Sequence, residues 1–102
     1  MPALKTKQYN NELIINSIIG RALAHPARLR IIELIHHQGY VRNIDLIDAL
    51  QLSKSSISNH VNKLKDASLI ETHFMPNSFY NISLKQGAEE RLVDFFNHLI
   101  KN

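Results

Sequence analysis

The chain contains no cysteine and no tryptophan, and only three glycines and three prolines among its 102 residues. Without cysteine there is no disulfide framework, no thiolate metal site, no cysteine nucleophile and no thiol redox switch. No apolar run approaches the ~20 residues that a membrane-spanning helix needs. Met1-Pro2-Ala3-Leu4-Lys5-Thr6-Lys7 continues into polar residues, not into the apolar stretch of a secretion signal, so a cytoplasmic location is expected. Asn81-Ile82-Ser83 has the form of a glycosylation site, a match that chance explains in a chain with no export signal. An excess of one charge is also nearly missing. Twelve Lys+Arg against nine Asp+Glu leave +3, which permits a nucleic-acid partner without demanding one.

What is present is helical periodicity. The length, with no repeat and no internal linker, predicts one domain over 1–102, patternless only to about residue 8. A first helix is expected over about 10–23, with Leu13, Ile14, Ile15, Ile18, Ile19 and Leu23 as its apolar face. His25-Pro26 interrupts it and opens a second helix to about His37, which Gly39 ends. Asn43 is expected to cap a short third helix whose Ile44, Leu46, Ile47 and Leu50 point inward. After a turn at Gln51-Leu52, Ser53 caps a fourth helix to about Ser68, with Ile57, Val61 and Leu64 as one stripe.

Beyond Ser68 the period shortens. Residues 69–74 and 79–84 read as two strands joined by a turn at Met75-Pro76-Asn77-Ser78. A last helix is expected over about 85–101. Its Leu92, Val93, Phe95, Phe96, Leu99 and Ile100 cover more than half of the circumference, more than so small a domain can bury. The order α-α-α-α-β-β-α is that of a winged helix-turn-helix: mainly α, with a small β-hairpin.

Three blocks then become specific. Ala22-Leu23-Ala24-His25-Pro26-Ala27-Arg28-Leu29-Arg30-Ile31-Ile32 is the first. The second is Asp45-Leu46-Ile47-Asp48-Ala49-Leu50-Gln51-Leu52-Ser53-Lys54-Ser55-Ser56-Ile57-Ser58-Asn59-His60-Val61-Asn62-Lys63-Leu64-Lys65-Asp66-Ala67-Ser68-Leu69-Ile70, most specific from Leu52 on, and the third is Tyr80-Asn81-Ile82. Together they resemble the signature of ArsR-type transcriptional repressors, whose pattern has Ala-Gly-Leu where this chain has Ala67-Ser68-Leu69. The resemblance implies a homodimeric winged-helix repressor. Its terminal helices, about 10–23 and 85–101, would pair through Leu13, Ile14, Ile18, Leu92, Phe95, Phe96 and Leu99. Its fourth helix would enter the major groove of double-stranded DNA at an inverted repeat.

The fourth helix suits that role chemically. Residues 53–65 hold Lys54, Lys63 and Lys65 and no acid. Lys54, Ser55, Ser58, Asn59 and Asn62 lie opposite the apolar stripe and offer short hydrogen-bonding groups to base edges. The helix start at Ser53 favours a phosphate. Ser56, His60, Lys63 and Arg42 complete the expected DNA-contacting set; a solvated polar face is the bland alternative. Arg28, in the first block, suits a structural role as well as a DNA contact. Ser56 and His60 lack an orienting acid, so no catalytic residue is expected and the protein is read as a non-enzyme.

Two departures from the resemblance stand out. The turn between the strands carries no Lys or Arg, which puts its contact with DNA in doubt. The family's metal positions are occupied by Arg42, Asn43 and Ile44, and by Leu84-Lys85-Gln86, so no metal ligand and no cofactor is expected. Asp94 and His98, four apart, leave a two-ligand site across a dimer as an alternative. The uncharged turn leaves a protein-binding module as another. The adjacent His36 and His37 point in different directions on a helix and do not chelate as a pair. Six histidines make pH-sensitive binding an expectation near their usual pKa of ~6.5.

Overall fold

A computed structural model describes residues 9–101, with the side chain of Lys101 left aside. The expectation for residues 1–8 lies outside the described residues. The elements are α1 (Asn11–Ala22), α2 (Pro26–Gln38), β1 (Tyr40–Arg42), α3 (Asn43–Leu50), α4 (Lys54–Asp66), β2 (Ile70–Phe74), β3 (Tyr80–Leu84) and α5 (Ala88–Lys101). A single 3-10 turn, Pro76–Ser78, lies between β2 and β3. The winged helix-turn-helix expectation is met, with one strand more than the sequence predicts.

Local chemistry explains most of the boundaries. Asn10 caps α1 by accepting from Leu13 N–H at 2.8 Å. His25 caps α2 through Nδ1, which accepts from Ala27 N–H at 3.0 Å, and Pro26 fills the first turn. Gly39 ends α2 at φ +89°. α4 ends in a Schellman motif: Ser68 N–H donates to Lys65 C=O and Leu69 N–H to Leu64 C=O, with Ser68 at φ +59°.

The sheet is antiparallel in the order β1-β3-β2, so β3 is the middle strand. β1 pairs Tyr40, Val41 and Arg42 with Ser83, Ile82 and Asn81. Only Val41 of that strand is buried. The core gathers Ile31 and Ile35 of α2, Leu46 of α3, Ile57, Val61 and Leu64 of α4, and Leu69, Ile70 and Ile82 around the hairpin, all at 2% exposure or less. At about 1.5–3 kcal/mol per large apolar side chain, their burial is the main force joining α2, α3 and α4 to the sheet.

Two expectations are corrected. Asn43 does not cap α3: it is the first helical residue, it is buried, and its Oδ1 accepts from Tyr80 N–H at 3.0 Å. The residue before α3 is Arg42, whose N–H donates to Asp45 at 3.3 Å. α5 starts at Ala88 instead of Lys85, because Lys85 N–H is taken by Leu69 C=O at 3.0 Å and Gly87 turns the chain at φ +85°.

Polar side chains position α5 on the rest of the fold. Arg91 Nη2 donates to Ala67 C=O at the end of α4, at 2.9 Å. His36 of α2 lies 3.1 Å from Glu89, and His98 lies 3.2 Å from Glu12 of α1. Arg28 plays the same part between α1 and α2, with Nη1 donating to Arg21 C=O at 3.4 Å and Ala22 C=O at 3.3 Å. Among the described residues, no helix is long and apolar enough to cross a membrane.

Candidate nucleic-acid interface

The candidate surface is built on α4 because its apolar stripe is consumed by the core. Ile57, Val61 and Leu64 are buried, which turns the rest of the helix outward. At its start, Ser53 Oγ accepts from Ser56 N–H at 3.1 Å and bonds the hydroxyl of Ser56 at 3.0 Å. The hydroxyl of Ser55 lies 3.2 Å from the same oxygen. Ser56 is therefore half-buried and engaged in the cap.

Six of the expected residues come together. Ser53, Lys54, Ser55, Ser58, Asn59 and Asn62 line one shallow, open surface that contains no acid. Hydroxyl and amide groups at this spacing can donate to and accept from base edges, while Lys54 and the free helix N–H groups favour a phosphate.

The remaining expected residues lie elsewhere. His60 faces the start of α2, its ring 4.3 Å from that of His25. Burial lowers its pKa below the usual value, and the electrostatic interactions with His25 and Arg28 push it the same way. A neutral, packed His60 acts as a spacer between α4 and α2. Lys63 lies on the same flank, beside Ile18, Arg21, Arg28 and Asp66. Arg42 sits at the edge of the sheet. It forks onto Asp45 through Nε at 3.0 Å and Nη2 at 2.9 Å, with its guanidinium 5.8 Å from the Phe79 ring centre. The bond to Asp45 raises the Arg42 pKa and lowers that of Asp45. Arg42 thus stays charged but half-compensated.

Sequence reasoning omitted Lys65, Thr72, Phe74 and Tyr80 from the site. They join Ser58, Val61 and Asn62 in a groove between α4 and the wing, where Lys65 Nζ donates to Thr72 Oγ1 at 3.0 Å. The acid-free run of residues 53–65 already draws attention to Lys65. The placement of Phe74 depends on strand pairing, which the sequence does not display.

Away from the polar face of α4, the terminal helices α1 and α5 leave Leu13, Ile15, Ile18, Val93, Phe96, Leu99 and Ile100 exposed, none of which lines the α4 surface. Ile14 is half-buried, whereas Leu92 and Phe95 pack largely on their own core. His98 is paired with Glu12, and Asp94 lines a cleft with Glu12 and Arg91. Among the described residues, no three His, Asp or Glu side chains converge as a metal site requires.

Comparison with known proteins fits this geometry. The model of the MarR family matches residues 25–73, from the start of α2 into β2. No curated protein matches the chain by sequence. Among solved structures, HlyU from Vibrio cholerae is similar with a TM-score of 0.73 at 18% identity, covering 92% of this chain and 100% of that one. NolR from Sinorhizobium fredii gives 0.70 at 21% identity, covering 98% and 97%. A structure described as an ArsR family transcriptional regulator gives 0.70 at 18% identity, covering 92% of each chain. At these identities the likeness is one of architecture, and it establishes the fold as a winged helix-turn-helix.

Proposed function

We propose that the protein is a sequence-specific DNA-binding transcriptional regulator that acts as a homodimer and represses by occluding a promoter. One observation carries this reading. An acid-free surface of Ser53, Lys54, Ser55, Ser58, Asn59 and Asn62 is presented by a helix whose apolar side is fully buried. Such a surface has little to offer an apolar partner and much to offer base edges and phosphates. Lys63 and Arg42 would then serve as flanking phosphate contacts, and the hydroxyls of Ser53 and Ser56 as the frame that fixes the start of α4.

The dimer would form through Leu13, Ile14, Ile18, Phe96 and Leu99, with Ile15, Val93 and Ile100 adding to the apolar face. Leu92 and Phe95 would support it from within. Two copies of α4 would then enter major grooves about one helical turn, ~34 Å, apart on an inverted repeat. The match to the MarR family model and the likeness to an ArsR family regulator support a place among winged-helix regulators. The blocks at residues 22–32 and 52–70 favour the ArsR type within that group.

Genomic-fragment selection with purified protein at two salt concentrations tests the proposal. Recovery of an inverted repeat supports it, and its affinity should fall steeply with salt. Recovery of no motif at either salt would overturn it.

A further inference from the structure

We propose that the wing carries an apolar wedge, Phe74 backed by Tyr80, that enters the minor groove of the duplex beside the site read by α4. The proposal rests on the DNA-binding reading and adds to it a second contact of different chemistry.

No Lys or Arg occurs between Asp66 and Lys85, so the wing offers phosphates neither of the two permanently charged cations. What it offers is aromatic. Side chains alternate along a strand, so Ile70, Thr72 and Phe74 share one face, paired with Leu84, Ile82 and Tyr80. The inner part of that face packs on the core, with Ile70 and Ile82 buried. Its middle touches α4, where Lys65 holds Thr72. Its outer end runs past the core, and Phe74 is left 85% exposed.

The exposed ring has one aromatic neighbour and springs from an ordered turn. Tyr80 meets it edge-on, with ring centres 6.0 Å apart. Tyr80 is itself anchored by the bond from its N–H to the buried Asn43. Met75 N–H donates to Phe79 C=O at 2.9 Å, and Asn77 and Ser78 close the turn at positive φ. The backbone that carries the ring is thus defined before binding, which reduces the ordering that binding costs.

Two observations select DNA as the occupant. The groove that Phe74 lines also contains Ser58, Asn62 and Lys65, and Ser58 and Asn62 belong to the α4 reading surface as well. The aromatic end of the wing is therefore continuous with that surface. Its lining also includes a cation and no acid, which suits a phosphate-flanked partner. Minor-groove walls are built of sugars and base edges, and apolar side chains unstack base steps there. Operators should carry a flexible pyrimidine–purine step, TA or CA/TG, on the wing side of each half-site.

The test uses the full chain and a duplex bearing the inverted repeat recovered by genomic selection, with 2-aminopurine placed at successive steps flanking a half-site. Binding of the unaltered protein should raise fluorescence at one step. Phe74→Ala should abolish that rise and weaken binding about tenfold, with no change in the salt slope, because no charge is lost. Phe74→Leu, still apolar, should keep part of both effects. If Phe74→Ala binds like the unaltered protein while Asn59→Ala loses sequence preference, the wedge fails and the DNA reading stands. If Phe74→Ala weakens binding but no step ever brightens in the unaltered complex, insertion is overturned. If the unaltered protein retains no duplex, the DNA reading falls and the wedge with it.

Discussion

α4 and α5 are close in length, 13 and 14 residues, and the chain treats them in opposite ways. Every apolar residue on the stripe of α4 is buried within its own chain: Ile57, Val61 and Leu64. α5 buries Ala88, packs Leu92 and Phe95 partly, and leaves Val93, Phe96, Leu99 and Ile100 in water. One helix has its apolar needs met and shows only polar groups. The other shows more apolar surface than a single chain can cover. The difference teaches that two partners of unlike chemistry are expected, one polar and charged, the other apolar.

The comparison can be broken first at Leu64. Leu64→Ala should cost ~2–5 kcal/mol of unfolding free energy, read from urea denaturation, because its site is closed on all sides. Leu99→Ala, the same truncation at an exposed position, should leave the fold nearly intact. Equal losses would erase the distinction between the two helices. Phe96→Asp should weaken self-association about a hundredfold while far-UV circular dichroism stays helical, and analytical ultracentrifugation would report it.

A smaller effect sharpens the polar side. Asn59→Ala should weaken operator binding by ~1–3 kcal/mol and leave binding to random duplex unchanged. Lys54→Ala should weaken both and lower the salt slope by ~1. Fluorescence anisotropy on the two duplexes separates these outcomes.

The smallest effect concerns pH. The folded protein lowers the His60 pKa below 6.5, so the unfolded chain takes up the proton first as pH falls. The stability that neutral His60 contributes is complete above pH 6.5 and is lost as pH drops through the depressed folded value. Urea midpoints should therefore fall more between pH 7.5 and 5.5 in the unaltered protein than in His60→Asn. Equal declines would show that the burial of His60 does not couple its protonation to folding.

Much of this was legible in the sequence, and the illegible parts have a common cause. Spacing alone located α1 to α5 and the hairpin, because helical and strand periods are local. The cap at Ser53 and the break at His25-Pro26 are local too. β1 was not foreseen: three residues with one buried side chain give no period, and their partners on β3 lie about forty residues away. Asn43 was misread for the same reason. An asparagine before an apolar run is a fair cap, and only the folded chain brings Tyr80 N–H to it. Within the site, the outward face of α4 followed from its buried stripe. The turning of His60 and Lys63 toward α2 and α1, and of Arg42 toward Asp45, depends on neighbours from other elements.

The left-handed turn at Ser68 has an engineering consequence. This residue joins α4 to the wing at φ +59°, a conformation that costs a side-chain-bearing residue and suits glycine. Ser68→Gly would relieve that cost at the risk of a looser unfolded chain, for a net change on the order of 1 kcal/mol or less. The junction is absent from the residues lining either candidate contact surface. It is therefore a position where thermal tolerance can be tuned independently of what the protein recognises.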